Sequence, residues 1–468
     1  MSDIATRFEK LQAATPALKQ STVAERATKL NALWAHIVDR QDDLFAAGHK
    51  ERHTHPLDIA AELVMIRGEI EFAVKNLGKW VKPHKVKGSL ASFGKRSEIR
   101  YEPKGVVLNL SAWNAPTAIS IVPLIPAIAA GNAVAVKPSE LAPHTATIIE
   151  EIIRDALPEE GADVFQGGAD VAQELMGLPF NHFYFTGGYT VGALVMKAAA
   201  DHFASITLEM GGKSPVILDK SASIDNAATK VVWGRMMNAG QVCVATDYVL
   251  AHESVADAFV EAAKTKIKEL YDSEGSGYEN SNYMPRLINA RHHARVKSLI
   301  DDALAKGAVL ACGGGANEET LYIEPTILTN VTEDMRIMQE EIFGPVLPVM
   351  TVKSAEEIPP LIAKRPKPLA LYIYATDKSA IDYYLSHTTS GSCVVNNNCV
   401  QSGTNPHLPF GGVGESGMGR IGGFRGFEEM SNARSVMHQP LDKIRDMLIQ
   451  LPPYSSRYEG LIMKALKK

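Results

Sequence analysis

Four cysteines in 468 residues are too few for a disulfide framework, so Cys243, Cys312, Cys393 and Cys399 point to a reducing compartment with room for one reactive thiol. A basic surplus is also missing. The 48 Lys and Arg stand against 53 Asp and Glu, a net charge of −5, which removes the electrostatic footprint of a nucleic-acid binder. No apolar run is long enough to cross a bilayer. The most apolar stretch, Ile119 to Val136, carries Pro123, Pro126, Gly131 and Asn132, and reads instead as a buried helix followed by a buried strand. The opening MSDIATRFEK lacks the apolar core of a signal peptide, and no internal repeat or low-complexity linker is visible. A soluble, cytoplasmic protein is expected, with no nucleic-acid partner, no stable membrane anchor and no metal site.

What is present is average for globular chains: 46% hydrophobic and 22% charged residues. The length exceeds what one core serves, so two or three domains are expected. Thr22 and Glu25 predict a capping box ahead of an apolar stripe at Leu30, Leu33, Trp34, Ile37 and Val38, and a second helix is predicted over Ile59–Trp80. From Gly105 short apolar runs alternate with helical segments. Strands are predicted at Val106–Leu110, Ala133–Val136 and Phe183–Phe185, with helices at Thr145–Leu157 and Val191–His202. A second series from about Ile206 predicts strands at Ser214–Leu218, Tyr248–Ala251, Val346–Thr351, Leu369–Tyr374 and Cys393–Asn396. Helices at Ile224–Asn238, Val255–Tyr271, Ala290–Lys306 and Ser379–Ser386 intervene. Such alternation is the signature of parallel sheets covered by helices, an α/β fold in two units.

Two familiar signatures fail on context. Gly412, Gly414 and Gly417 match GxGxxG, but no βαβ unit surrounds them, so a glycine-rich loop is expected. Gly212-Lys213-Ser214 resembles the end of a phosphate-binding loop, yet Thr207 stands where its first glycine is required. The strand–turn–helix at His182–Phe185, Thr186-Gly187-Gly188 and Val191 onward, with Gly192 inside the helix, has the right context for a phosphate. Any βα turn can use glycines in the same way, which leaves both readings open. Cys243 lies between a helix ending near Asn238-Ala-Gly240 and the strand at Tyr248. A reactive thiol and a small buried hydrophobe both fit that position.

Seven ordered segments spread over about 300 residues resemble the aldehyde dehydrogenase superfamily. They are Trp113-Asn-Ala-Pro116, Lys137-Pro-Ser-Glu140, Phe185-Thr-Gly-Gly188, Leu208-Glu-Met-Gly-Gly-Lys213, Gly240-Gln-Val-Cys243, Glu340-Glu-Ile-Phe-Gly-Pro345 and Leu408-Pro-Phe-Gly-Gly412. Gly414-Glu-Ser-Gly-Met-Gly419 and Pro452-Pro-Tyr454 are similar to the class 3 branch, which handles aromatic and fatty aldehydes. The resemblance implies a Rossmann-type dinucleotide-binding domain over 1–80 and 105–207 and a catalytic domain over 208–395. It also implies oligomerisation or bridging segments, including a small hairpin, at 81–104 and 396–435, and a tail at 436–468. A homodimer, an aldehyde substrate and NAD, with NADP possible, follow from the same likeness.

Oxidising an aldehyde by hydride transfer first needs a tetrahedral carbon, which a cysteine thiolate supplies as a thiohemiacetal. The resemblance gives this role to Cys243, the oxyanion donor to Asn114 and the base that activates water against the thioester to Glu209. Branches that pass the acyl group to coenzyme A generally lack that glutamate. Lys137 and Glu140 are implied to hold the adenosine ribose, Gly187, Gly188 and Gly192 to face the pyrophosphate, and Glu341 with Phe343 to hold the nicotinamide ribose. Trp113 and Ala115 are expected at the substrate pocket. Ala115 stands where the family usually has an aromatic ring, which implies a wider channel suited to benzaldehyde- or cinnamaldehyde-like substrates. The competing readings are a coenzyme A-acylating semialdehyde dehydrogenase and a binding protein that keeps the fold without turnover.

Overall fold

The computed structural model describes residues 3–89, 92, 94–157, 161–401, 405–441 and 452–467. Four helices open the chain: α1 (Asp3–Gln20), α2 (Val23–Asp39), α3 (Gln41–Arg52) and α4 (Pro56–Trp80). The capping box is present, with the Thr22 side chain accepting from Glu25 N–H and the Glu25 carboxylate taking Thr22 N–H at 2.6 Å. Leu30, Leu33 and Ile37 are buried as the stripe requires, whereas Val38 turns to solvent.

The first sheet has six strands, in the order Gly417–Met418, Ser205–Met210, His182–Gly187, Val106–Leu110, Ala133–Lys137 and Ala162–Val164. Apart from the two-residue antiparallel edge at 417–418, all neighbours are parallel. Val106–Leu110 and Ala133–Lys137 are buried along their whole length, because helices cover both faces. Alternate residues serve different cores: Val107, Val134 and Val136 pack under α2 and α4, while Val106, Leu108 and Ala135 pack with Phe8 and Leu11 of α1. The chain winds outward from Val106–Leu110 in both directions, so the order reverses between that strand and His182–Gly187. Open α/β sheets bind ligands outside the carboxyl ends of strands at such a point.

Two expectations are refined here. Ile119–Val136 was to hold one helix and a strand, but two short helices precede the strand, α5 (Pro116–Ile121) and one at Leu124–Ala130. Pro123 and Pro126 lack the N–H groups that a continuous helix would use. Strand Ser205–Met210 pairs with His182–Gly187 as far as Met210, so the first sheet crosses the 207/208 boundary and takes Glu209 with it.

After Gly211-Gly212 the chain enters a seven-stranded sheet ordered Val309–Cys312, Thr326–Thr329, Val346–Val352, Tyr248–His252, Pro215–Leu218, Ala370–Tyr374 and Ser392–Val395. Only the Val309–Cys312 edge is antiparallel. The 81–104 segment supplies His84–Val86 and Arg96–Pro103, which join Ser431–His438 in a three-stranded antiparallel sheet. Gly412–Gly417 is a loop feeding the short edge strand, as its context predicted. Part of the expected tail, residues 442–451 and 468, lies outside the described residues. Tyr454, Met463 and Leu466 in the remainder are exposed. No described helix is long and apolar enough to cross a membrane.

Candidate active site

Cys243 owes its position to a strained turn. Helix Ile224–Met236 stops two residues earlier than the pattern predicted, because Asn238 and Ala239 take left-handed φ of 50° and 52°. Gly240 follows at φ 74°, where a Cβ would come within 2.3 Å of Gly344 O. Fully buried Arg235 ties the turn together, donating to Thr246 O at 2.6 Å and to the carbonyls of Gly240 and Gly344. Gln241, also buried, donates to Asn238 O at 2.9 Å and to Arg286 O at 3.0 Å, and accepts from Ile288 N–H. The loop is therefore pinned on either side of the thiol.

Asn114 follows strand Val106–Leu110 at the switch point of the first sheet. Its Nδ2 donates to Gln241 O at 3.1 Å, and its own carbonyl accepts from Asn238 Nδ2 at 2.8 Å. An amide nitrogen carries two N–H donors, so the second remains for a reacting oxygen. Glu209 lies near the end of its strand, 5% exposed, and neither carboxylate oxygen has a hydrogen-bond partner among the described residues. Burial raises it to about 8, with Glu429 adding to the rise and Arg420 opposing it. Burial, then Glu209 and Glu341, pushes the Cys243 thiol up to about 12.

One cavity of about 180 Å³ brings Cys243, Asn114, Glu209 and Ala115 together. Its outer wall is largely apolar and includes Met65, Ile119, Val122 and Phe410. Ala115 lines the same cavity as Cys243. Trp113 does not line this cavity. Its ring packs edge-on against Phe343 at 5.6 Å and tilts over His292 at 5.3 Å.

The expected cofactor residues gather at the carboxyl edge of the first sheet. Lys137 ends its strand buried, with Nζ 2.8 Å from Glu140 Oε2, and Glu140 is half exposed. Gly187 ends the strand two over, beyond Val106–Leu110. Gly188 starts helix Tyr189–Asp201 with nothing within 4 Å of where a Cβ would stand, leaving the helix N-terminus open to an anion. Gly192 is a packing glycine: a Cβ there would meet Met210 Sδ at 2.4 Å, so its absence lets helix and strand approach. A tight turn, an open N-terminus, a packing glycine and a lysine–glutamate pair at a switch point fit a dinucleotide. Glu341 arrives from the second sheet and lies against Gly211, where a Cβ would be 2.2 Å from Oε1. Burial and the neighbouring Asp247 raise it to about 7. Phe343 follows at a left-handed φ of 47°.

Residues 1–436 match the model of the aldehyde dehydrogenase family. The chain belongs to that family. Aldehyde dehydrogenase family 3 member A2 of Macaca fascicularis is 39% identical over 431 residues, covering 92% of this chain and 87% of the relative. A probable coniferyl aldehyde dehydrogenase of Caulobacter vibrioides is 40% identical over 409 residues, covering 86% and 83%. A solved substrate-bound AldH of Staphylococcus aureus superposes with a TM-score of 0.92 at 36% identity, and the match covers 100% of both chains.

Several residues that build this aldehyde dehydrogenase site carry no local sequence signal. Lys213, which failed as a phosphate-loop lysine, is buried against Asp247 and donates to Ile337 O at 2.7 Å and Glu340 O at 3.0 Å. Asp247 also accepts Ile342 N–H at 2.9 Å, and Arg295 donates to Glu341 O at 3.0 Å and Ile342 O at 2.6 Å. The segment carrying Glu341 and Phe343 is thereby fixed to the strand that follows Cys243. Lys213→Met leaves the Asp247 charge buried without its main partner, at a cost of about 3–5 kcal/mol. Thermal unfolding should show a clearly lowered midpoint, and an unchanged midpoint would mean that the pair holds nothing.

Proposed function

We propose that the enzyme oxidises an aromatic aldehyde, benzaldehyde- or cinnamaldehyde-like, to the carboxylic acid with NAD or NADP as acceptor and without coenzyme A. One observation carries this reading. Cys243, the free N–H of Asn114 and an unpartnered, buried Glu209 meet in a single cavity with apolar walls. Cys243 attacks the carbonyl carbon after its proton passes through water to the solvent, which leaves Glu209 ionised, and the resulting oxyanion is met by Asn114 and the loop backbone. Held at the edge of the first sheet, the dinucleotide would supply the hydride acceptor for the tetrahedral carbon. Glu209 then draws a proton from water attacking the thioester, releasing the acid and restoring the thiol. Lys137 and Glu140 would hold the adenosine ribose, Gly187 and Gly188 the pyrophosphate, and Glu341 with Phe343 the nicotinamide ribose. A homodimer joined through the three-stranded sheet suits its exposed Val86 and Met437.

The aromatic preference rests on Ala115, whose methyl leaves room beside the reacting carbon, and agrees with the name of the coniferyl aldehyde relative. Ala115→Phe should lower kcat/KM selectively for benzaldehyde and a ring-substituted benzaldehyde, by the ~1–3 kcal/mol of pocket-shape discrimination, while sparing acetaldehyde. Equal effects on all three would remove Ala115 from the channel. Acid formation without added coenzyme A tests the product, and a strict requirement for coenzyme A would favour the acylating alternative.

A further inference from the structure

Arg52 and Glu62 are charged side chains that do not line the cavity of Cys243 and Glu209. Arg52 closes α3 at 2% exposure, and its Nη1 donates to Trp113 O at 3.0 Å. Glu51 lies 3.7 Å away, and Arg52 Nε has no partner among the described residues. Glu62, in the second turn of α4, accepts Ala118 N–H on Oε2 at 2.9 Å and is also hydrogen-bonded to the Thr117 backbone. Helix α5 is six residues long and begins after Ala115, which supplies no side-chain cap, with Pro116 at its first position. Its free N–H groups are therefore satisfied from another helix by Glu62. Burial holds Glu62 at about 7, with Arg52 lowering it and Asp58 raising it.

These contacts bracket the three residues Asn114, Ala115 and Pro116. Arg52 grips the carbonyl just before Asn114, and Glu62 grips the N–H groups just after Pro116. On the far side, Asn238 and Gln241 hold the Asn114 backbone and amide against the Cys243 loop. We propose that Arg52 and Glu62 are positioning residues for the oxyanion hole: they fix the Trp113–Ala118 segment so that Asn114 points its second N–H at the reacting oxygen. This rests on the reading that Asn114 donates to the oxyanion. Neither side chain needs to touch substrate or cofactor.

A double-mutant cycle built in the Glu209→Gln background, where turnover becomes a burst, and read on the rate of that NADH burst separates positioning from plain stability. Asn114→Ala should slow the burst by ~10²–10³. Arg52→Gln and Glu62→Leu should each slow it by roughly 10- to 100-fold, as misplacement of a reacting group does. Glu62→Gln, which keeps an acceptor, should restore most of the rate lost in Glu62→Leu. Placed in the Asn114→Ala background, Arg52→Gln or Glu62→Leu should change the burst by less than about twofold, because there is no donor left to aim. Losses that multiply in that background would overturn the positioning role, leaving two stabilising residues. A full burst in Asn114→Ala would instead remove the oxyanion reading itself. If Arg52→Gln does not fold, the Glu62 pair carries the same cycle.

Discussion

Cys243→Ala should abolish aldehyde-dependent NADH formation while leaving dinucleotide binding measurable. A methyl cannot form the tetrahedral adduct, and without it the trigonal carbonyl carbon cannot expel its hydrogen as hydride. The residues proposed to hold the cofactor lie elsewhere, on Lys137, Glu140, Gly187 and Gly188 at the edge of the first sheet and on the Glu341 segment held by Lys213, Asp247 and Arg295. The loop should survive the change, since Arg235 and Gln241 pin it through backbone carbonyls and not through the thiol. Turnover should fall to background, and NAD titration by fluorescence should be near wild type. Appreciable turnover would end the covalent mechanism.

Glu209→Gln should convert steady turnover into a burst of about one NADH per active site followed by a phase slowed by ~10²–10⁴, the usual contribution of a general base. Hydride transfer precedes attack by water, so the first product appears and the thioester remains. Burial lifts the Glu209 carboxyl to about 8, which keeps it neutral well below that pH and ionised well above it. A base that works only when ionised makes the wild-type rate climb as pH rises through that value. The substitution should remove this limb, because an amide does not titrate there. An unchanged steady rate, or a pH limb that persists in the variant, would assign the water to another base.

The strands that position the site were legible because they are buried on both faces. Val106–Leu110 and Ala133–Lys137 are apolar runs with breakers at each end, and helix-covered parallel strands read as such runs. Val309–Cys312 was missed for the opposite reason, being an edge whose Val309 and Leu310 are exposed. Met237 and Asn238 were misread as helix because neither residue signals the left-handed turn at Asn238 and Ala239, which here is imposed by the packing of Gly240 against Gly344. Asn114 and Glu209 came forward as candidates only through the seven resembling segments, whereas Cys243 was already a candidate thiol by its place between a helix and a strand. The supports of the site were not legible at all. Lys213 meets Asp247 across 34 residues and Arg52 meets Trp113 across 61, and pairings of that reach leave no trace in local pattern.

Mass mapping of Glu209→Gln, acid-quenched after mixing with NAD and benzaldehyde, decides whether the carbon skeleton of the substrate passes through the thiol. The acyl group should be found on the peptide containing Cys243, at close to one per active site, and should be absent when NAD is omitted or when Cys243 is also replaced. A burst of NADH with no acyl group on that peptide, or with the group on Cys399 instead, would contradict the mechanism.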